Sequence, residues 1–181
     1  MVNYKLAPEQ LTAKVKEAMA HIDFALKLCE IQAMAGRLFM FEHRVSAASW
    51  NLSLVKRMFK FKKVVTVDFD FCRLGMHYKG YPAKKRTRIM TNSPCIANRL
   101  AKFQCPGDHE HIPLINGRAG PCQIYPRKFC SQICIGLKEE LAGRAIGSLA
   151  RDYVDPIKEL LSVYPGPAPG QSSACHTITG N

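Results

Sequence analysis

The feature that most constrains the fold is a long stretch without glycine, residues 7–35. Pro8 stands where a helix accepts proline in its first turn, and apolar residues recur at steps of three or four positions. This spacing predicts one long amphipathic helix, which Gly36 ends. The next segment, RLFMFEH, predicts a short, buried, central strand with Glu42 and His43 at its end. The apolar residues expected on the buried side of the helix are Leu11, Val15, Ala18, Ile22, Leu26 and Cys29.

Helices and strands alternate along the next part of the sequence. Ser49 is predicted to cap a helix over residues 50–59. The β-branched and aromatic residues 64–71 predict a second strand, and residues 86–91 a third, which can pair with the second as a hairpin. This order of elements favours an α/β layered domain.

The pattern changes beyond Asn92. A short helical stretch, a loop rich in Cys and His, and a helix that opens at Pro126 follow one another. This last helix places Phe129, Ile133, Leu137 and Leu141 on one stripe, and further helices are predicted over residues 145–153 and 157–163. We therefore expect an α/β domain over residues 1–103, the Cys/His loop with C-terminal helices over 104–163, and a disordered tail over 164–181.

Charge and composition restrict the functional classes. The 181 residues carry a formal net charge of +12, which favours a polyanionic partner such as nucleic acid. No apolar run reaches the roughly 20 residues that a membrane helix needs, and the N-terminus lacks the features of a secretory signal. We therefore expect a nuclear or cytoplasmic protein, in which the eight cysteines serve metal binding or packing rather than disulfides.

Two basic segments are candidate contacts for nucleic acid. KRMFKFKK supplies Lys56, Arg57, Lys60, Lys62 and Lys63, and a solvated helix end explains it equally well. KKRTRIM supplies Lys84, Lys85, Arg86 and Arg88, of which every second residue lies on one face of an extended segment. That segment can track phosphates, brace a site, or protect an edge strand through its charge.

The Cys/His loop is a candidate zinc site. Cys95, Cys105, His109 and His111 provide the thiolates and imidazoles that zinc accepts in tetrahedral coordination, with Cys122 as a competitor for any vacant position. The alternative is a polar loop with two buried thiols. The other cysteines are predicted to be core residues, namely Cys29, Cys72, Cys130 and Cys134.

The order of four motifs resembles a known domain. GRLFMFEH…ASW, VVTVDFDFCRLG, KKRTRIMTN and CPGDHEH…YPRKFC are similar to a domain of copia-like retroelement polyproteins of protists, over about residues 20–136. That domain is similar in turn to the later half of DNA cytosine-5 methyltransferases, including phage forms. The resemblance implies a partial Rossmann-like sheet of the class I methyltransferase type, with flanking helices.

The resemblance also implies roles for individual residues. Glu42 falls at the family's glutamate, which helps to protonate the target cytosine, and His43 replaces the asparagine beside it. Lys84, Arg86 and Arg88 fall on the family motif Gln-x-Arg-x-Arg, with lysine in place of glutamine. Glu42, Arg86 and Arg88 are therefore the catalytic candidates, although a strand-end glutamate also has a purely structural explanation.

In the methyltransferase family, two motifs lie before the helix at which this sequence begins, and this sequence therefore does not contain them. They are the S-adenosylmethionine loop and the catalytic Pro-Cys turn. Methyl transfer needs both. We therefore expect a truncated, retroelement-derived methyltransferase-like domain that is inactive alone and binds nucleic acid, with DNA favoured. S-adenosylmethionine is expected only if the N-terminal half is supplied, for example as a separate chain. The alternative function is a zinc-stabilised nucleic-acid-binding module.

Overall fold

An antiparallel sheet lies between two helical layers in the computed structural model, which describes residues 7–143. The predicted helices over residues 145–153 and 157–163 and the predicted tail lie outside these described residues. The elements in chain order are α1 (Pro8–Met34), β1 (Met40–Arg44), α2 (Ser53–Met58), β2 (Val65–Asp70), β3 (His77–Tyr78), β4 (Tyr81–Lys84), β5 (Arg86–Thr91), α3 (Pro94–Leu100), β6 (Ile112–Pro113) and α4 (Arg127–Gly143). The chain is thus a mixed α/β protein, as predicted, but the antiparallel pairings of its main sheet do not confirm the Rossmann-like sheet that the resemblance implied.

The main sheet has the strand order β1-β5-β2, and both pairings are antiparallel. The predicted pairing of the second and third strands is confirmed, but the prediction that β1 is central is wrong. The central strand is β5, since Ile89, Met90 and Thr91 are buried in succession between two neighbouring strands, whereas every residue of β1 keeps some exposure. A second small sheet joins β3, β4 and β6, and its β4–β6 pairing is parallel.

Helices α1 and α2 cover one face of the main sheet. Leu26 and Cys29 of α1 pack with Val55 and Met58 of α2 against Met90 of the sheet. The predicted bounds of α1 are confirmed, but its apolar stripe is buried only in the C-terminal half. Val15 is 53% exposed because the first turns of α1 extend past the sheet within the described residues.

The predicted second helix is shorter than expected. A 3-10 turn, Ala48–Asn51, precedes α2, and Ser49 does not cap α2. The Ser49 hydroxyl instead forms a hydrogen bond of 2.6 Å with Nδ1 of His43. This side-chain contact competes with capping, so the backbone turns extended at Leu52 before α2 begins.

Helices α3 and α4 cover the opposite face, where Phe69, Ile89, Ile96, Leu100 and Phe129 form the larger core cluster. The predicted stripe of α4 is correct at Phe129 and Ile133 but wrong further along, since Leu137 and Leu141 are exposed. Gly136 and Glu140 are the buried residues there. At these two positions α4 makes close and polar contacts with its neighbour rather than apolar ones. Hydrophobic periodicity does not predict contacts of this kind.

Glu140 ties α4 to the start of α3. Its carboxylate accepts hydrogen bonds from the Ser93 hydroxyl at 2.9 Å and from the Cys95 amide at 3.2 Å. Burial raises the pKa of Glu140, but these hydrogen bonds outweigh burial and hold the pKa below its usual value. The carboxylate therefore stabilises the folded state fully above its unfolded-state pKa, and this contribution disappears as the pH falls through the lower folded-state pKa.

We expect Glu140→Gln to lower the free energy of unfolding at pH 7 by about 1 to 2 kcal/mol, because hydrogen bonds to a charged group are weakened. The loss should shrink as acid protonates the wild-type carboxylate. Urea unfolding of both proteins, from pH 7 down to the lowest pH at which both fold, measures this difference. If the difference stayed constant over that pH range, the charge of Glu140 would not be the cause of the lost stability.

Candidate metal centre

Four metal-ligating side chains converge beside the end of β2. Cys72, Cys105, His109 and His111 each offer one donor atom, and these atoms all lie within 4.8 Å of one another. His111 Nε2 lies 3.3 Å from Cys72 Sγ and 3.4 Å from Cys105 Sγ, and His109 Nε2 lies 3.6 Å from Cys105 Sγ. Cys72 is buried, and the other three are half-buried.

Three of the donor separations are those of a tetrahedral zinc site. Zinc bonds of about 2.0 to 2.3 Å at the tetrahedral angle place neighbouring donor atoms about 3.3 to 3.8 Å apart. The S–N distances of 3.3, 3.4 and 3.6 Å lie in that range, and every pair of donor atoms lies within 4.8 Å. Two thiols and two imidazoles also form a donor set that binds zinc in preference to Ca²⁺ or Mg²⁺, which favour oxygen ligands.

Two separate parts of the chain bring the donors together. A 3-10 turn, Phe71–Leu74, follows β2 directly and carries Cys72. The loop after α3 carries the other three donors. Two hydrogen bonds donated by backbone amides hold Cys105, the first of them, in place. The Cys105 amide donates to Asp70 Oδ2 at 2.9 Å, and the Gly107 amide donates to Cys105 Sγ at 3.4 Å. Gly107 adopts φ +83°, a left-handed backbone conformation that glycine allows without strain in this tight loop.

An outer layer of charged groups orients His109. Nδ1 of His109 lies 2.8 Å from Asp108 Oδ1, and Arg73 donates to Asp108 Oδ2 at 3.3 Å. A proton on Nδ1 that is donated to Asp108 leaves the lone pair on Nε2 free for a metal. This carboxylate–histidine arrangement is the usual outer support of metal-bound histidines.

Burial, and after it the adjacent Cys105 sulfur, raise the pKa of the Cys72 thiol to about 12, so this thiol is protonated in the absence of a cation. A coordinated cation would stabilise its thiolate form. The residues therefore fit a divalent soft or borderline metal, with zinc as the best match.

The observed group corrects the ligand set predicted from sequence. Cys105, His109 and His111 are in it, but Cys95 is replaced by Cys72, which we predicted to be only a core residue. Cys95 lies at the start of α3, where its amide bonds to Glu140. Cys122 is buried, and its thiol is directed to the His77 carbonyl at 3.9 Å, so it does not compete for the site. Cys72 lies two residues after the end of β2, and its local sequence gives no signal that separates it from Cys95.

The three catalytic candidates do not lie on one face of the sheet. Glu42 stands opposite Ile89 on the face covered by α3 and α4, and it accepts a hydrogen bond of 2.8 Å from the Tyr125 hydroxyl. Arg88 lies on the other face, because successive residues of a strand alternate. Arg86 shares the face of Arg88 and is exposed.

Arg88 is held by several contacts. Its guanidinium donates to both oxygens of Asp68, at 2.6 and 3.0 Å, and lies 5.6 Å from the centre of the Trp50 ring. These contacts hold the guanidinium against the sheet and pair its charge with Asp68, so a phosphate has less access to it.

The predicted nucleic-acid contacts have different surroundings. Lys56, Arg57, Lys60, Lys62 and Lys63 are all exposed on and after α2. Lys84 is exposed on β4, whereas Lys85 is half-buried with its ammonium group 4.6 Å from the centre of the Phe71 ring. The segment over residues 56–63 is thus the denser of the two exposed basic surfaces.

Within residues 7–143, each helix is too short or too polar to span a lipid bilayer. No protein-family model, curated protein or solved structure matches the chain.

Proposed function

We propose that this protein is a zinc-stabilised nucleic-acid-binding domain. The observation that carries the proposal is the convergence of Cys72, Cys105, His109 and His111, whose donor atoms lie within 4.8 Å of one another. With all four positions of a tetrahedral ion taken by protein ligands, zinc has a structural role and no open position for catalysis.

The proposed zinc holds an otherwise weakly supported loop. Residues 104–111 form no helix or strand, and the ion would join this loop to the turn after β2. Because the unfolded chain lacks a preformed site, much of the zinc-binding free energy becomes folding free energy. Loss of the metal is therefore expected to release the loop first.

The basic segment after α2 supports the nucleic-acid part of the proposal. Lys56, Lys60, Lys62 and Lys63 make no ion pair within 4.0 Å with any described residue, although the charge of Lys63 helps to lower the pKa of Glu140. Arg57 is paired with Glu30 at 2.9 Å. Four exposed ammonium groups within eight residues form a dense positive surface, on a chain of net charge +12. Such a surface binds phosphates by displacing condensed counterions, and we favour DNA as the partner.

The test is the salt dependence of DNA binding by the chain in which Lys56, Lys60, Lys62 and Lys63 are replaced by alanine. If each lysine meets a phosphate, the slope of log K against log salt becomes less steep by roughly 3 to 4 units, at about 0.9 per contact. Fluorescence anisotropy with a labelled duplex between low and moderate salt gives the slope.

The matched control replaces four other exposed lysines, Lys14, Lys16, Lys102 and Lys138, and so removes the same net charge. This variant should keep most of the wild-type slope. Equal changes in the two variants would show that only net charge matters, which would contradict the assignment to the segment after α2. Wild-type protein without measurable DNA binding at low salt would refute the nucleic-acid function itself.

A methyltransferase-like, retroelement origin stays a second proposal, supported by the order of the sequence motifs and by the acid on β1. Glu42, Arg86 and Arg88 keep the roles that the resemblance implies only if an N-terminal part supplies the cofactor loop and the thiol nucleophile. Sequencing the transcript upstream of Met1 tests this proposal. A reading frame without a glycine-rich loop and a Pro-Cys turn would refute the catalytic roles of Glu42, Arg86 and Arg88 and would leave only a truncated domain.

A further inference from the structure

We propose that Cys105 and Cys72 form an oxidative modification site for hydroperoxides, in which disulfide formation expels the metal. This inference rests on the proposed zinc site and adds its regulation. The two sulfurs lie within 4.8 Å of each other, and His111 Nε2 contacts both, at 3.4 and 3.3 Å.

The two thiols differ in access to solvent. Cys105 is half-buried on the loop after α3, whereas Cys72 is buried within the turn after β2. A small oxidant therefore reaches Cys105 first. The Gly107 amide donates a hydrogen bond of 3.4 Å to the Cys105 sulfur and holds it at this more accessible side of the site.

The chemistry has two balanced steps. In the first, the Cys105 thiolate attacks one oxygen of hydrogen peroxide, the O–O bond breaks, and hydroxide leaves, takes up a proton and becomes water, so that Cys105 is a sulfenic acid. In the second, the Cys72 thiolate attacks the Cys105 sulfur, the S–S bond forms, and the S–O bond breaks to release hydroxide, which also becomes water. The peroxide gains the two electrons that the sulfurs lose.

The disulfide no longer supports the metal. Zinc binds thiolate sulfur, and both sulfurs have lost that charge, so only His109 and His111 remain as ligands. A dithiol reductant reverses the change by thiol–disulfide exchange and restores all four donors. The site is then a reversible switch between a zinc-bound and a disulfide-linked form.

The experiment treats the full, zinc-loaded chain with hydrogen peroxide and follows free zinc with a chromogenic indicator. We expect one zinc ion to be released for each disulfide formed, and dithiothreitol followed by zinc to restore the bound form. Trypsin cleaves after Lys63, Arg73, Lys102 and Arg118, so unreduced digests should contain residues 64–73 linked to residues 103–118.

The control variant is Cys130→Ser with Cys134→Ser, which removes the two exposed thiols of α4. It should release zinc as the wild type does and give the same linked peptides. Bound zinc that peroxide does not release, or release that depends on Cys130 and Cys134, would overturn the inference. Reduced protein that holds no zinc before any peroxide is added would instead refute the proposed zinc function, so the two failures are distinguishable.

Discussion

Replacing Cys72 with serine should abolish stoichiometric zinc binding, whereas replacing Cys95 with serine should leave it intact. Cys72 contributes one of four converging donors, and its sulfur lies 3.3 Å from His111 Nε2. Loss of outer-shell partners alone costs about 10- to 100-fold in metal affinity, so loss of a direct ligand should cost more than about 100-fold. Cys95 lies at the start of α3 and is not in the group.

The measurement is the zinc content of the purified proteins under reducing conditions, together with their thermal unfolding before and after EDTA. Zinc at a thousand times its dissociation constant stabilises a protein by about 4 kcal/mol. EDTA should therefore lower the Tm of the wild type and of Cys95→Ser by several degrees and leave Cys72→Ser unchanged. The reverse pattern, with zinc lost only in Cys95→Ser, would reinstate the ligand set predicted from sequence.

The exchange of Cys95 for Cys72 shows what local pattern can and cannot predict here. Cys105, His109 and His111 lie within seven consecutive residues, so their spacing alone indicates a common site. The fourth ligand comes from a turn that is more than thirty residues away in sequence, and only the sheet brings it near. Cys95 and Cys72 each stand beside apolar residues, so sequence pattern cannot separate them.

The same distinction applies to the fold. The bounds of α1 and β5 were predictable because helical periodicity and β-branched residues act locally. The order of the strands was not, since it depends on which strand is buried on both faces. The surroundings of Glu42 and Arg88 were not predictable for a related reason. The pairing of Glu42 with Ile89 sets Glu42 and Arg88 on opposite faces, with different partners, Tyr125 and Asp68.

Gly136→Val should destabilise the fold strongly, because the added side chain would collide with the backbone of α3. A Cβ atom at Gly136 would lie 2.9 Å from Ile96 Cα and 3.1 Å from the Ile96 amide nitrogen. These are backbone atoms of α3, so a side-chain rotation cannot relieve the contact and the two helices must move apart. Overpacking of this kind costs about 1 to 3 kcal/mol and occasionally more, and we expect a loss of about 3 kcal/mol.

Gly143→Val provides the matched control at the end of the same helix, where nothing lies within 4 Å of an added Cβ. Valine has a better helix propensity than glycine, so this variant should be neutral or more stable by a few tenths of a kcal/mol. Urea unfolding of the zinc-loaded proteins gives both values. Equal stabilities for the two variants would mean that α3 and α4 do not pack as closely as described. A selective loss in Gly136→Val would show that the close approach of α4 to α3 at Gly136 contributes to holding these two helices together, beside the apolar contacts of Phe129 and Ile133.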